Sequence, residues 1–441
     1  MQPPPSTPAP DSAPTPDTGP APTAPVSPVS PAAVSDLVPF LARLTTLLLR
    51  SSGEGAHLIG PTVARCARAY GGKAALLLVP EAAVLTVTAA DGETRTVTVR
   101  GFPEVFRLDR DTALKPLLTD VEAGRAGLRE AVRRLAAIER APAPYPWWLK
   151  LLGVVLFALG FAPLMQATWY EIATTAVLGT LTAALAVAAD RVPRLALVLP
   201  LVASATVSFV TIELFADDPA RGGPVLLMLP ALFYFVPGDY LSAATAELAG
   251  GLITTGAIRL VYSVFLLVQL YVGVLLGVLV TGTSTRALFD VAADADLPRW
   301  ALFLSWIVFT AGTVLAFAIP HRLFWPLLLL VYLTVGVQTG MTKLIGEVGG
   351  TFVAAAVLAA AASVISRPAH RPPRLVLLLP GFFTLTVGSL GMRGLTTLAG
   401  GHVIDGFKDL MELVTIVTAI AVGMVAGAAL ARPRERSAPA R

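Results

Sequence analysis

Charged residues, histidines and cysteines are scarce in this chain, and each shortage excludes a class of protein. Only 14% of the 441 residues are charged, whereas 55% are hydrophobic. Because a soluble protein has roughly a quarter charged residues, the composition indicates an integral membrane protein in contact with the lipid bilayer. The net charge of +4 comes from arginines that cluster beside apolar segments, which argues against a nucleic-acid partner.

The residues that most cofactor sites require are also missing. Cys66 is the only cysteine, which excludes an intrachain disulfide and a cysteine-based metal site. The four histidines are scattered and form no HExxH or HxxxH pair. The chain has no GxxxxGKS or GxxxxGKT phosphate loop, so nothing indicates an ATP-driven pump. We therefore expect neither a metal nor a cofactor.

Composition divides the chain into five parts. Residues 1–33 are almost all Pro, Ala, Ser and Thr, which predicts a disordered tail. This tail lacks the apolar core of a signal peptide, so we expect the N-terminus in the cytoplasm. A soluble cytoplasmic α+β domain is predicted for 34–142, membrane repeats for 147–282 and 298–430, and a basic cytoplasmic tail for 431–441.

The segment 34–142 mixes helical and strand patterns. Apolar residues with helical spacing run from Ser35 to Arg50, and Asp91-Gly92 predicts a hairpin turn. The predicted helices cover 35–50, 57–70, 111–122 and 128–139, and the predicted strands cover 74–79, 83–89 and 94–100.

From Trp147 onward the chain is almost continuously apolar. At ~20 apolar residues per span, it divides into ten predicted spans, which cover about 147–165, 170–189, 194–215, 223–240, 260–281, 299–319, 323–341, 345–365, 373–390 and 409–430. Tryptophans stand at the ends of several spans, as interfacial anchors do.

Basic residues between the predicted spans orient the chain. With the N-terminus inside, the cytoplasmic loops hold more arginines and the outer loops more acids, as the positive-inside rule requires. The cytoplasmic arginines are Arg191, Arg194, Arg259, Arg322, Arg367, Arg371 and Arg374, followed by Arg432, Arg434 and Arg436 in the tail. The outer acids are Asp217, Asp218, Asp290, Asp294 and Asp296. Both termini are therefore expected in the cytoplasm.

One stretch, Pro224 to Arg259, is interrupted at Pro237-Gly238 and occurs twice. A shift of 150 residues, the separation of Pro230 and Pro380, aligns about fifty residues without a gap. The matched pairs include Phe233 with Phe383, Gly238 with Gly388, Gly251 with Gly401, Gly256 with Gly406, Gly273 with Gly423 and Gly277 with Gly427.

The two copies fall in the fourth and ninth predicted spans, so they run through the membrane in opposite directions. The sequence thus predicts an all-α polytopic membrane protein with about ten transmembrane helices in two five-helix inverted repeats, preceded by a small soluble α+β domain. Paired segments interrupted by Gly or Pro mark the binding site in transporters of this design.

A broken membrane helix frees backbone N–H groups that bind a carboxylate and C=O groups that bind an ammonium. Acids nearby can carry a proton or bind the substrate amine, and arginines can act as their counter-charges. The candidate transport residues are Pro237, Gly238, Asp239, Ser242, Glu247, Arg259, Gly388, Ser389, Gly391, Arg393 and Asp405. The alternative interpretation is a helix end at the membrane surface, followed by an amphipathic interfacial helix.

These residues carry a resemblance to a known family. The chain around the first break has Val236-Pro237-Gly238, Glu247-Leu248, Gly251, Gly256 and Arg259. It resembles the pattern VPG…DL..G….G..R of the threonine/serine exporters. Gly388 through Leu395 resembles a second element of that family, and the similarity covers roughly 35–430. Two positions depart from the pattern: Glu247 stands where Asp is usual, and Val387 where a second Pro-Gly would be expected.

The resemblance implies a bacterial inner-membrane exporter with ten spans and a cytoplasmic N-terminal domain. It implies transport of L-threonine and L-serine out of the cell, driven by the proton gradient, with Glu247 at the family's acidic position. The expected partners are thus a small amino acid, protons and lipid. A role of the N-terminal domain in gating or in homo-oligomerisation stays open.

Two other functions fit parts of the sequence. A transporter or uniporter of another small solute would have the same architecture. A membrane-tethered hydrolase would act through 34–142, where Ser51-Ser52-Gly53-Glu54 offers a nucleophile beside an acid. No His–Asp partner accompanies that run, which is typical of a loop that caps the next helix. We therefore expect no enzyme activity.

Overall fold

The structure, a computed structural model, describes residues 33–50, 56–79, 82–101, 107–196, 198–215, 222–249, 251–285, 288, 296–368, 371–385, 394–395, 397 and 403–431. They form two hydrophobic cores. One core lies in the N-terminal part, residues 33–140. The other lies in the membrane part, residues 147–431, and also takes in Leu108.

Four helices and a three-stranded antiparallel sheet form the N-terminal part. They are α1 (Val34–Arg50), α2 (Ala56–Ala69), β1 (Lys73–Val79), β2 (Ala82–Thr88), β3 (Thr94–Arg100), α3 (Leu108–Glu122) and α4 (Leu128–Arg140). The strand order is β1-β2-β3, with Leu85 opposite both Leu76 and Val97. Each predicted helix and strand of this part is present, with ends that differ by a few residues. The Ser51–Glu54 run lies outside the described residues.

The described residues of the membrane part form α-helices joined by turns and short connections. They are α5 (Trp147–Phe161), α6 (Trp169–Arg191), α7 (Pro193–Ala196), α8 (Leu199–Leu214), α9 (Pro224–Leu232), α10 (Gly238–Ala249), α11 (Ile253–Thr281), α12 (Arg299–Ala316), α13 (Phe324–Ile365), α14 (Arg374–Phe383) and α15 (Val403–Leu430).

Six helical segments among the described residues are long and apolar enough to cross a membrane. Three shorter apolar helices accompany them, at Leu199–Leu214, Pro224–Phe235 and Arg374–Phe383. Every predicted span overlaps one of these helices, but ten crossings require the short ones to span as well. The number of ten therefore stays a prediction.

Helix α13, the longest, is two helices joined by a reversal at Gly346, which has φ 80° and ψ 172°. The Gln338 side chain donates to the Thr351 hydroxyl over 3.2 Å, although 13 residues of straight helix would separate these positions by about 20 Å. The chain therefore folds back on itself, and the two limbs, 324–345 and 347–365, lie antiparallel.

Helices α5 and α12 cross at two glycines that exchange roles. A Cβ at Gly160 would overlap the backbone of Phe309, and one at Gly312 would overlap the backbone of Phe157. Both pairs, Phe157 with Phe309 and Gly160 with Gly312, are separated by 152 residues. The earlier residue of α5, Phe157, meets the later residue of α12, Gly312, and Gly160 meets Phe309. The two helices therefore pack antiparallel.

Glycines also set a second kind of crossing, which occurs twice. A Cβ at Gly273 or Gly277 of α11 would overlap α8, at Ser204 and Ser208 respectively. In the same way, Gly423 and Gly427 of α15 meet Phe352 and Ala356 in the second limb of α13. In both crossings the contacts advance in the same direction along the two helices. These helix pairs are therefore parallel, and the glycines four residues apart on α11 and α15 serve helix packing.

The short apolar helices α9 and α14 lie at the centre of the membrane part. All nine residues of α9 are buried, and so are residues Val376 to Phe383 of α14. Phe233 and Phe383 occupy matching positions in the two copies of the repeat, and the centroids of their rings are 5.9 Å apart. The side-chain amide of Gln166 donates to the Leu226 carbonyl over 2.9 Å, which ties α9 to the end of α5.

The N-terminal part contacts two connections and one helix of the membrane part. The Leu108 N–H donates to the Phe317 carbonyl over 3.3 Å, just after α12. The Lys115 ammonium donates to the Ser366, Pro368 and Pro372 carbonyls, just after α13. Strand β1 contacts α11. The ends of α12 and α13 thus lie on the side of the bundle that carries the N-terminal part.

The reciprocal contact at Gly160 yields a stability prediction. Gly160→Ala would push a methyl group into the Phe309 backbone, and overpacking of this kind costs about 1–3 kcal/mol. We expect a fall of several degrees in the thermal unfolding temperature of the detergent-solubilised protein. Gly336→Ala is the control, because a Cβ at Gly336 has no neighbour within 4 Å. Equal unfolding temperatures for the two variants would contradict the crossing.

Candidate functional site

The first broken segment leaves helical geometry between α9 and α10. After α9, residues Phe233–Phe235 form a 3-10 turn, and Val236 is extended, with φ −70° and ψ 123°. Helix α10 restarts at Gly238, whose N–H donates to the Val236 carbonyl over 2.9 Å. Tyr234 and Val236 are buried. The break therefore lies inside protein, which is the condition under which irregular backbone is tolerated at membrane depth.

Helix α10 ends in a Schellman motif that turns the chain into α11. The Leu252 N–H donates to the Glu247 carbonyl over 2.9 Å, and the Gly251 N–H donates to the Leu248 carbonyl over 3.1 Å. Gly251 has φ +82°, a conformation that glycine adopts without steric cost. This turn brings the start of α11 back along the end of α10.

The turn brings two charged side chains together in the interior. Arg259 Nε lies 3.2 Å from Glu247 Oε1, and the two side chains are 6% and 1% exposed. Arg259 Nε has no well-aligned hydrogen bond, so the contact is an ion pair with imperfect hydrogen-bond geometry. Burial of such a pair costs desolvation energy, and removal of either partner leaves the other charge buried and uncompensated, which strongly destabilises the fold.

Gly256 permits the close approach that this ion pair needs. A Cβ on Gly256 would lie 2.7 Å from Leu248 Cγ and 2.9 Å from the Ala244 carbonyl oxygen. Any larger residue would therefore push α11 away from α10. Gly251, Gly256, Glu247 and Arg259 thus serve one local structure.

A corresponding contact occurs in the second half. Under the shift of 150 residues, Ala244 corresponds to Gly394 and Gly256 to Gly406. A Cβ on Gly394 would lie 3.1 Å from the Gly406 carbonyl oxygen. The two halves therefore bring the same pair of backbone positions together, although the residue whose Cβ meets the carbonyl is the later one in the first half and the earlier one in the second.

The charges at this contact differ between the halves. The same shift carries Glu247 to Thr397 and Arg259 to Asp409. Thr397 is 6% exposed and Asp409 is 7% exposed. The second half thus has a hydroxyl where the first has an acid, and an acid where the first has arginine.

The structure brings together some of the candidate residues predicted from the sequence. Pro237 and Gly238 form the break, and Glu247 and Arg259 form the ion pair. Asp239 and Ser242 lie in the first turns of α10, with side chains outside the description. Asp405 is exposed in the first turn of α15. Gly388, Ser389, Gly391 and Arg393 lie outside the described residues.

One prediction about Arg259 is corrected. It was counted among the loop arginines that orient the chain, but it lies inside α11 and is buried. The predicted span began at residue 260, whereas the helix begins at Ile253, because the Schellman turn ends the preceding helix earlier than hydropathy indicates. The predicted role of Arg259 as counter-charge to Glu247 agrees with the 3.2 Å contact.

Asp409 was absent from the predicted site, although a signal for it was present. Both Asp405 and Asp409 lie near the second break in the sequence, and the predicted site includes Asp405 alone. The repeat itself marks Asp409, since the shift that places Leu410 on Leu260 also places Asp409 on Arg259. Within the described ranges, no group of three or more His, Cys, Asp or Glu side chains is placed to hold a metal ion.

Comparison with known proteins gives the following findings. The model of the family described as "Putative threonine/serine exporter" matches residues 39–281, more than half of the chain. The chain is similar to a Mycobacterium tuberculosis protein named "Probable threonine/serine exporter", with 25% identity over 414 residues. That alignment covers 89% of this chain and 75% of the relative. No solved structure matches.

The buried ion pair yields a prediction about stability. Glu247→Leu alone leaves the Arg259 charge buried without this partner, and loss of one partner of a buried pair costs about 3–5 kcal/mol. The double variant Glu247→Leu with Arg259→Leu removes both charges, so it should unfold at a higher temperature than either single variant. Thermal unfolding in detergent measures this difference.

Glu213→Gln is the control, because Glu213 is exposed and surface changes of this kind stay within about 0.5 kcal/mol. If the effects of the two single variants simply add in the double variant, the two side chains do not form a coupled pair.

Proposed function

Because this chain belongs to the threonine/serine exporter family, we propose that it exports L-threonine and L-serine across the bacterial inner membrane in exchange for protons. Glu247 and Arg259, beside the first broken helix, are the proposed centre of the transport site. The buried contact between these two side chains is the observation that carries the proposal.

The chemistry of this ion pair suits an amino acid. A zwitterion carries a carboxylate, which complements the Arg259 guanidinium, and an ammonium group, which complements the Glu247 carboxylate. A bound amino acid therefore replaces one internal ion pair with two pairs to the substrate. No buried charge is left unpaired, so the desolvation cost that accompanies an unpaired charge is avoided.

The break supplies a second set of groups on the proposed path, about 14 Å along α10 from Glu247. Helix α10 starts at Gly238, and the first N–H groups of a helix favour negative charge. Polar and ionisable groups inside a membrane are expensive and mark substrate or proton pathways. Glu247 is proposed to bind the exchanged proton after the substrate leaves, because its neutral form would leave Arg259 free to receive the next carboxylate.

Two sets of contacts support the inverted-repeat architecture that such a transporter needs. The α5–α12 crossing is antiparallel and reciprocal, as two segments related by an axis in the membrane plane would be. The α8–α11 and α13–α15 crossings are parallel within each half, at glycines separated by 150 residues. With five spans in each half, the third and fifth spans run parallel in this way.

The contacts of the N-terminal part support the proposed orientation. A ten-span path that starts inside returns to the cytoplasm after α12 and again after α13. The segments after these two helices meet Leu108 and Lys115. The N-terminal part, the ends of α12 and α13 and the basic tail are therefore proposed to lie in the cytoplasm.

Cysteine labelling tests this orientation. The native Cys66 is buried, and its burial, with a smaller effect of Glu122, raises its pKa to about 12, so the reactive thiolate is scarce at neutral pH. A membrane-impermeant maleimide added to intact cells should label Thr283→Cys and leave Arg322→Cys unlabelled until the cells are permeabilised. The reverse pattern would overturn the orientation. Labelling of the unaltered chain would show that Cys66 reacts, and Cys66 would then have to be replaced before the test.

Efflux from proteoliposomes tests the transport reaction. We expect labelled threonine and serine to leave vesicles faster under an imposed proton gradient than without one. Glu247→Gln should lose the stimulation by the gradient, because it cannot bind a proton, whereas Glu247→Asp keeps the carboxylate and should retain it. Equal stimulation of Glu247→Gln and the unaltered protein would exclude Glu247 as the coupling residue. Counterflow with a panel of other solutes separates this function from transport of a different substrate.

A further inference from the structure

We propose that Asp409 and Thr397 form a second half-site on the transport path, in which the Asp409 carboxylate binds the ammonium group of the transported amino acid. This inference rests on the proposed function and deepens it. It assigns a substrate contact to Asp409 in the second half of the chain, at the position that corresponds to Arg259 in the first half.

The position of this half-site follows from backbone contacts. Ala244 and Gly256 approach each other in the first half, and their counterparts Gly394 and Gly406 do so in the second. Thr397 and Asp409 each lie three residues beyond these contact positions, as Glu247 and Arg259 do. The side chains of Thr397 and Asp409 therefore occupy equivalent positions on equivalent helical segments.

Burial distinguishes this half-site from its surroundings. Asp409 is 7% exposed, whereas Asp405, one helical turn earlier, is exposed. The Thr397 hydroxyl is buried and makes no hydrogen bond among the described residues. A buried hydroxyl without a partner costs free energy, and a ligand that supplies the partner would recover it.

The charge at the half-site selects the group that binds there. In the first half, Arg259 is the cation and suits a carboxylate. In the second half the equivalent position is an acid, and the partner position is the neutral Thr397 in place of Glu247. A carboxylate and a hydroxyl at these two positions suit an ammonium group, whose three N–H donors can bond to acceptors of both kinds.

Packing places the half-site within reach of the first half of the chain. Asp409 lies on α15, which packs against both α13 and α10. Helix α10 carries Glu247 and follows the first break directly. The second acid therefore stands on the helix that borders the proposed transport centre.

Binding of threonine and of its des-amino analogue, 3-hydroxybutyrate, to the purified full chain tests the inference. The unaltered protein should bind threonine more tightly than 3-hydroxybutyrate. Asp409→Asn should weaken threonine binding roughly 10- to 100-fold, the effect of losing a charge-assisted hydrogen bond. It should leave binding of 3-hydroxybutyrate nearly unchanged, because that analogue has no ammonium group.

Three further variants control this experiment. Glu213→Gln should bind both compounds as the unaltered protein does, since Glu213 is exposed and lies outside the proposed sites. Asp409→Glu keeps the charge and should keep the preference for threonine. Thr397→Val removes the hydroxyl alone and should weaken threonine binding less than Asp409→Asn does, which gives a second readout if Asp409→Asn does not fold.

The outcomes separate the two proposals. If the unaltered protein binds threonine but Asp409→Asn and Thr397→Val keep its affinity and preference, the half-site is wrong and the proposed function stands. If the unaltered protein binds neither threonine nor serine, the proposed function fails and the half-site with it. Equal losses for threonine and 3-hydroxybutyrate in Asp409→Asn would show a structural role and overturn the ammonium contact.

Discussion

Irregular backbone inside a bilayer must be enclosed by protein, and the membrane part is arranged around that constraint. Helix α9 and the turn after it leave helical geometry near Pro237, so their polar groups cannot face lipid. All of α9 and most of α14 are accordingly buried within the other helices. The long helices α11, α13 and α15 stand around them and expose apolar side chains, among them Val261, Leu329 and Val425.

Close helix contact, more than hydrophobic burial, holds this arrangement together. Lipid tails are as apolar as leucine, so helices in a bilayer associate through van der Waals packing and small residues. Gly160, Gly312, Gly273 and Gly423 each stand where a Cβ would overlap a neighbouring helix. The ion pair between Glu247 and Arg259 depends on the same device, because Gly256 lets α11 approach α10.

Much of this structure could be predicted from the sequence, because the signals were local. The helices and strands of the N-terminal part follow from hydrophobic spacing and turn residues. The break at Pro237-Gly238 and the Glu247–Arg259 pair follow from residue types at short separations. The repeat followed from one constant shift.

Other features depend on tertiary contacts that no local pattern records. Hydropathy places Arg259 at the edge of a span, and only the Schellman turn explains why α11 begins earlier and buries it. Asp405 and Asp409 lie four residues apart on one face of α15, and they differ in position along the helix: Asp405 is exposed in the first turn, whereas Asp409 is buried one turn further on. The reversal at Gly346 likewise needs a positive φ that a single glycine in an apolar run does not predict by itself.

The reversal at Gly346 also bears on the history of the chain. The two halves align with a separation of 152 residues at the α5–α12 crossing and of 150 residues from Pro230 onward. A net of two residues has thus been gained or lost between these points, which enclose α6 to α8 in the first half and α13 with its turn in the second. If the halves descend from one duplicated gene, length changes were tolerated between the helix crossings, while the glycines at the crossings were kept.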